Sequence, residues 1–115
     1  MKVIYNNIIP FKGFIAINIL GVLFVRKDCK EKFLKRPEIL THESIHTAQM
    51  KELLYIFFYL IYPIEWVVRL FVDIDHAYRG ISFEQEAFDN ENNADYLSTR
   101  KCWAWWDYMN KPYRK

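Results

Sequence analysis

Two histidines and a glutamate within one pentapeptide have the spacing of a metal site. Residues 42 to 46 read His42-Glu43-Ser44-Ile45-His46, an H-E-x-x-H motif. Helical residues four positions apart lie about 40° apart around the axis, so His42 and His46 can both direct their imidazoles at one metal ion. Glu43 lies about 100° from His42, where its carboxylate can take a proton from a metal-bound water. The motif therefore predicts metal binding and hydrolysis.

The residues around the motif predict that it lies inside a helix. Pro37 suits a first helical position, and Glu38 complements the positive end of the helix dipole. Apolar residues continue at helical spacing to Phe57, with no helix breaker before Pro63. We expect one long helix over residues 37–72, interrupted near Pro63. The alternative for the two histidines is an ordinary position on a helix surface or in a core.

A catalytic zinc ion usually has three protein ligands and one open position, so the two histidines need a third ligand. The segment from Ser82 to Gln85 has the form of a capping box, which predicts a second helix over residues 82–99. Glu84 and Glu86 in its first turn are the candidates. Around the axis of this second helix, Glu86 lies about 65° from the centre of the apolar face. Glu84 lies about 95° from that centre, on its opposite side, so Glu86 is the better placed ligand. The alternative role for both is to complement the helix dipole.

Four further polar residues are candidates for supporting roles. Asn90, one turn after Glu86, falls near the middle of the apolar face, where a hydrogen bond to a metal ligand would satisfy its buried amide. His76, Tyr78 and Arg79 precede the ligand helix, and each can donate a hydrogen bond to a developing oxyanion. A position on the loop surface is the alternative for these three.

Over residues 37–98 the chain resembles the thermolysin-like zinc metallopeptidases, the gluzincins, in which an H-E-x-x-H helix precedes a second helix with a glutamate ligand. The resemblance implies that His42, His46 and Glu86 bind Zn²⁺ and that Glu43 is the general base. It also implies that a zinc-bound water, activated by Glu43, hydrolyses peptide bonds in a peptide or protein substrate. The chain is shorter than a typical peptidase domain of this group.

The remaining segments must position the two helices. Residues 3–9 and 14–25 are rich in branched and aromatic apolar residues with turn residues between them, which predicts a β-hairpin over residues 1–25. The aromatic segment 103–109 is expected to form a short helix. We therefore predict a single α+β domain over residues 1–115, with the hairpin packed on a helical zincin-like core.

Composition argues against one class of partner. The chain of 115 residues has a net charge of +2 and no stripe of lysine and arginine, so we do not expect nucleic-acid binding. Cys29 and Cys102 lack C-x-x-C spacing and are expected to be reduced thiols, with a single disulfide as the alternative. Six basic and two acidic residues in segment 26–36 predict a solvated linker, with a surface for anionic lipid as the alternative.

Residues 53–72 form an apolar segment whose only charges are Glu65 and Arg69. A helix that spans a bilayer needs about 20 apolar residues. Here twelve residues precede the first charge, Pro63 interrupts the segment, and Glu65 and Arg69 have the spacing of an ion pair. We expect a buried core helix or an interfacial hairpin. Attachment to one membrane surface is the alternative, in keeping with an aromatic content of 18%.

The location follows from a second apolar segment, residues 13–25. No small-residue cleavage site follows it and Asn18 interrupts it, so we do not expect a signal peptide. We predict a cytoplasmic protein, with peripheral contact to the inner face of the membrane as the alternative. The rival function is a non-catalytic module with a vestigial or structural metal site, which contacts a membrane or partner through Trp103, Trp105 and Trp106. The sequence does not predict an oligomeric state.

Overall fold

The computed structural model describes residues 1–109 and residue 111 and has an α+β fold, which confirms the predicted class. Short 3₁₀ helices cover Lys27–Cys29, Ile74–His76 and Ala104–Tyr108. In chain order the strands and α-helices are β1 (Lys2–Asn6), β2 (Ala16–Ile19), β3 (Val22–Arg26), α1 (Lys30–Leu34), α2 (Pro37–Glu52), α3 (Ile56–Val72), α4 (Ala77–Gly80), α5 (Ser82–Asn90) and α6 (Tyr96–Thr99).

The strand order of the described sheet is β1-β3-β2. β2 and β3 form an antiparallel hairpin, and β1 pairs in parallel with β3. The predicted hairpin between segments 3–9 and 14–25 is therefore wrong, because the second segment folds back on itself. Leu20 and Gly21 make this turn with φ values of 52° and 87°, the left-handed conformation that a tight hairpin turn requires. The result places β2 at an edge of the sheet.

The long helix expected over residues 37–72 is broken, but not at Pro63. The helical run ends at Glu52, and Leu54 and Tyr55 adopt φ values of 54° and 62°. The axes of α2 and α3 consequently differ in direction by 113°. Pro63 lies inside α3 on its exposed side, where the carbonyl that loses its helical partner can turn towards water. The bend lets α3 pack back beside α2.

A buried cluster joins α2, α3 and α5 to the aromatic segment at residues 103–109. Trp105, which is 1% exposed, packs against Phe83 of α5 with ring centroids 4.9 Å apart and ring planes tilted by 57°. The helix expected over 82–99 ends at Asn90, and the short helix α6 follows separately. The aromatic segment forms a 3₁₀ helix that packs on α5. The members of the cluster are Met50, Leu53, Phe58, Ile81, Phe83 and Trp105.

Within the part of the chain that the structure describes, no single helix has the length and apolarity needed to cross a membrane. α2 and α3 meet those criteria only when they are taken together, and they are bent sharply relative to each other. The expected ion pair of Glu65 and Arg69 is present, with a carboxylate oxygen 3.5 Å from Nη2. The cytoplasmic location stays a prediction.

Candidate metal centre

Three buried side chains from two helices converge on one point. His42 and His46 lie one turn apart on α2, and Glu84 lies in the first turn of α5. Oε1 of Glu84 is 3.1 Å from Nε2 of His42 and 3.0 Å from Nε2 of His46. The two Nε2 atoms are 3.2 Å apart. The three atoms therefore form a nearly equilateral triangle.

The size of this triangle suits a small divalent metal ion. Ligand atoms at about 2.0 to 2.1 Å from a tetrahedral zinc ion lie about 3.3 Å from one another, close to the 3.0 to 3.2 Å found here. Two imidazoles and a carboxylate are also ligands that zinc accepts. His42, His46 and Glu84 are accordingly a group among the described residues that could hold a metal ion.

The third member of this group is Glu84 and not Glu86, which corrects the prediction. Glu86 is fully buried, but its carboxylate accepts hydrogen bonds from Gln49, Tyr96 and Arg100. Two positions along a helix correspond to a turn of about 200°, so the two glutamates point in nearly opposite directions. The apolar-face argument failed because every residue from 82 to 87 is buried, which leaves no single inward face.

Both imidazoles are oriented by hydrogen bonds at their other nitrogen. Nδ1 of His46 lies 2.7 Å from Oε1 of Gln49, whose Nε2 donates to Oε1 of Glu86. Since Gln49 offers an acceptor here, His46 must donate from Nδ1. Nδ1 of His42 lies 3.0 Å from Oε1 of Glu91 and donates in the same way. In its neutral form, each histidine therefore has an unprotonated Nε2 that can bind a metal ion.

Gln49 and Glu91 were not recognised in the sequence. Gln49 lies three residues after His46 on the same helix face, a spacing at which side chains meet, and this spacing was the available signal. Glu91 follows the last residue of α5, and only the packing of α5 against α2 brings it to His42. The sequence contains no signal for that contact.

Two tyrosines lie beside the Glu84 carboxylate. The Tyr62 hydroxyl donates to Oε2 of Glu84 at 2.6 Å, which leaves Oε1 to face the histidines. Burial, together with the negative charge of Glu84, raises the pKa of both Tyr62 and Tyr78 above the ordinary value. Both hydroxyls therefore stay protonated at neutral pH and can donate hydrogen bonds. Tyr78 was a predicted candidate for the site. Tyr62 was not, because it lies within the apolar segment 53–72.

The other predicted supporting residues lie elsewhere. His76 is paired with Asp73, whose Oδ2 is 2.9 Å from Nδ1. The Arg79 guanidinium stacks on an aromatic ring of α5, 3.9 Å from the ring centroid. The Asn90 amide donates to the backbone carbonyl of Glu86 at 2.8 Å and not to a candidate ligand. The structure thus brings Tyr78, but not these three residues, to the site.

A pocket of about 460 Å³ opens in front of the candidate ligands, between β2 and α3. His46, Glu84, Tyr78 and Glu43 line its polar part. Burial raises the pKa of the Glu43 carboxyl, and the neighbouring histidines oppose this shift. Asn18 of β2 donates to the backbone carbonyl of Glu43 at 3.0 Å, which ties the edge strand to the motif helix.

His46 and Glu84 form an ion pair when no metal is bound. Burial disfavours the charged imidazole, but the Glu84 carboxylate outweighs this effect and the pKa of His46 rises to about 9. Burial likewise disfavours the Glu84 carboxylate, yet the charge of His46 and three hydrogen bonds hold the pKa of Glu84 well below its ordinary value. A metal ion must therefore displace a proton from His46.

The chain order of the site is an H-E-x-x-H helix followed, 38 residues after His46, by Glu84 on a second helix. This is the order that the resemblance to the gluzincins implies, with Glu84 in place of Glu86. Comparison of the chain with protein families, with curated proteins and with solved structures found no match. Membership of the gluzincins stays a prediction.

Proposed function

We propose that this protein is a zinc-dependent peptidase in which α2 and α5 form a zincin-like core. The observation that carries the proposal is the triangle of Nε2, Nε2 and Oε1 atoms from His42, His46 and Glu84, with Glu43 beside it in an open pocket. The ligand atoms alone support metal binding. Glu43 next to an accessible metal position supports hydrolysis, because a base within the pocket is needed to deprotonate water.

Each side chain has a role that follows from its position. His42, His46 and Glu84 hold the ion, and zinc, when bound, polarises the scissile carbonyl and lowers the pKa of a water molecule. The Glu43 carboxylate accepts a proton from the attacking water and passes it to the leaving amine. Its raised pKa suits this exchange, because a base must also release the proton within the catalytic cycle. The Tyr78 hydroxyl donates a hydrogen bond to the developing oxyanion.

The edge strand supports a peptide substrate in particular. β2 has a partner only on its β3 side among the described strands, and Ala16, Ile17 and Asn18 of β2 line the pocket. An extended peptide can pair with such an edge through backbone hydrogen bonds, while alternate side chains enter the pocket. Apolar residues form much of the pocket wall, which favours an apolar side chain next to the scissile bond.

The number of ligands favours catalysis over a structural role. Structural zinc sites usually have four protein ligands, whereas the described residues provide three that converge. The rival is a non-catalytic module, favoured by the exposure of Trp103 and Trp106. Trp105 is buried in the core and does not belong to that surface.

Metal analysis combined with a peptide-cleavage assay tests the proposal. The purified protein is loaded with zinc, dialysed and incubated with a mixture of synthetic peptides of random sequence, and products are identified by mass spectrometry. We expect one zinc ion per chain and cleavage at defined bonds. The Glu43→Gln variant should retain zinc and lose cleavage by at least about a hundredfold, as expected for loss of a general base.

Two results would argue against a peptidase. Wild-type protein that retains no zinc would remove the metal centre. Stoichiometric zinc with no cleavage of any peptide would favour the non-catalytic module. Cleavage that persists in Glu43→Gln would point to a contaminating protease, and His46→Ala serves as a second check because it should abolish both zinc binding and cleavage.

A further inference from the structure

The helix α3 has its polarity reversed relative to a surface helix of a globular protein. Its two charged residues, Glu65 and Arg69, face the protein, with side chains that are 7% and 12% exposed. Most of its large apolar residues instead face outwards, and Phe71 is 89% exposed, whereas Phe58 faces the core. A surface helix usually turns its apolar stripe inwards and its charges to water. The outward face of α3 is therefore suited to an apolar environment.

The apolar face of α3 is both large and wide. It comprises ten large apolar residues, of which the least exposed, Tyr59, is 41% exposed. Together they present on the order of 1,000 Å², against roughly 300 to 600 Å² for the largest apolar patch of a typical monomer. At about 100° per residue, they cover roughly two thirds of the circumference. The ten are Ile56, Phe57, Tyr59, Leu60, Ile64, Trp66, Val67, Val68, Phe71 and Val72.

The width and composition of this face favour lipid over a second protein helix. A helix that packs against one partner helix buries a stripe of about 100°, so a single helix of a second copy would leave much of the α3 face in water. Hydrocarbon chains are fluid and can cover the whole arc. The face also has no charged residue, whereas protein interfaces contain a polar rim.

The two residues with polar ring atoms lie along one border of the face. Tyr59 and Trp66 are seven positions apart and therefore within about 20° of each other around the helix. Tyrosine and tryptophan are the residues enriched where hydrocarbon meets headgroups. This border adjoins the pocket, because Tyr59 and Pro63 line the pocket wall.

We propose that α3 binds the surface of a lipid bilayer, lying in the membrane plane with its apolar face among the acyl chains. Its 17 residues extend about 25 Å, less than the roughly 30 Å of a hydrocarbon core, and the bend at Leu54 prevents a continuous span with α2. In this orientation Tyr59 and Trp66 lie at headgroup level, and the pocket opens at the membrane surface. Lipid binding through this face requires neither a bound metal ion nor peptidase activity.

Vesicle flotation tests the proposal. The full chain, without a membrane-solubilising detergent, is mixed with vesicles of neutral phosphatidylcholine and centrifuged through a density gradient. We expect it to float with the vesicles. The Ile64→Asp and Phe71→Asp variants should each lower the bound fraction at least about tenfold, because a carboxylate would have to enter hydrocarbon. Both positions are more than half exposed, so the fold should tolerate the changes.

Leu34→Asp is the matched control. Leu34 is also largely exposed but belongs to α1, and this variant should float like the wild type. Fluorescence gives a second measurement that needs no charged substitution. Vesicles with brominated acyl chains should quench the tryptophan emission of the wild type more than that of Trp66→Phe, since Trp66 lies on the membrane-facing helix.

The opposing outcomes are distinct. Wild-type protein that stays at the bottom of the gradient as a monomer would overturn the proposal. A wild-type protein that is a stable dimer and does not bind vesicles, with a monomeric Ile64→Asp variant, would show that the face binds a second copy of the chain and would overturn the proposal. Flotation only with anionic vesicles, unchanged in Ile64→Asp and Phe71→Asp, would assign binding to basic residues and would also overturn it.

Discussion

Nδ1 of His42 lies 3.0 Å from a carboxylate oxygen of Glu91, the residue that directly follows α5. The contact connects the motif helix to the far end of the helix that bears Glu84. A carboxylate in this position fixes the imidazole ring and increases its basicity. It thereby couples the orientation of one candidate ligand to the packing of the two helices.

Removal of this contact should weaken zinc binding. Glu91→Ala is expected to raise the dissociation constant for zinc about 10- to 100-fold, the usual effect of losing such a partner. Competition with a chromogenic chelator measures it. Glu31→Ala, which removes an exposed acidic residue of α1, should leave the constant unchanged. Equal losses in both variants would mean that general electrostatics, and not the contact with His42, causes the effect.

Glu84→Gln and Glu86→Gln should separate metal binding from folding. Glu84→Gln removes the anionic ligand and should weaken zinc binding by more than about a hundredfold, beyond the effect of a supporting residue. Glu86→Gln should retain zinc at one ion per chain. It should instead lower the free energy of unfolding by about 1–3 kcal/mol, because Arg100 loses a buried charged acceptor.

Zinc content by mass spectrometry and urea unfolding of the zinc-free proteins provide the two measurements. Loss of zinc from Glu86→Gln with full retention by Glu84→Gln would restore the original assignment of Glu86. His42→Ala serves as the reference for complete loss of the site.

Local spacing made part of the site predictable. His42, Glu43 and His46 belong to one helix, so their positions around the axis follow from the sequence. Glu84 could not be chosen over Glu86, since that choice depends on how α5 is surrounded. The first two turns of α5 are buried on nearly all sides. The periodicity of apolar residues therefore does not indicate which side of α5 faces the two histidines.

The fold was predictable in class but not in its connections. Apolar composition indicated strands before residue 26 and helices after residue 37. The parallel pairing of β1 with β3 joins distant segments and has no local signal. Leu54 and Tyr55 are not typical turn residues, so their left-handed conformation and the bend that they produce were not expected.

Metal-free protein should lose stability as the pH rises through about 9. The pKa of His46 is about 9 in the folded chain against an ordinary value of 6.5, so the stabilisation is complete below pH 6.5 and is lost as the pH passes 9. The lowered pKa of Glu84 affects stability in the acidic range. Its contribution to the free energy of unfolding is present above about pH 4.5 and is lost as the pH falls further. Urea unfolding of chelator-treated protein at pH 6, 7.5 and 9.5 measures this dependence.

Glu84→Gln is the control for this pH dependence, because it removes the charge that raises the pKa of His46. The variant should lose most of the difference between pH 6 and pH 9.5. Zinc binding should respond in the opposite direction, since the ion displaces a proton and its apparent affinity should rise from pH 6 to pH 9. Metal-free wild type that is more stable at pH 9.5 than at pH 6 would contradict the ion pair.

The turn between β2 and β3 should tolerate alanine poorly. Gly21 has a φ of 87°, and a Cβ atom there would lie 3.3 Å from Cγ2 of Thr47. Gly21→Ala should therefore lower the free energy of unfolding by about 1–2 kcal/mol for the left-handed backbone alone, with the contact adding to this cost. Gly13→Ala is the matched comparison, because Gly13 has a φ of 100° but open space around its Cβ position. Equal losses in the two variants, measured by urea unfolding, would show that the contact with Thr47 contributes nothing.

The carboxylate of Glu65 accepts hydrogen bonds from the backbone N–H and the hydroxyl of Ser82, the first residue of α5. Glu65 belongs to α3, and Glu84 lies two residues beyond Ser82. A displacement of α3, such as one that follows contact with a membrane, would therefore reach the helix that holds the third candidate ligand through this carboxylate, and would reach Glu84 directly through the Tyr62 hydroxyl. Binding of a metal ion should consequently change the affinity of the chain for a lipid surface, and binding to lipid should change the affinity for the metal ion by the same factor.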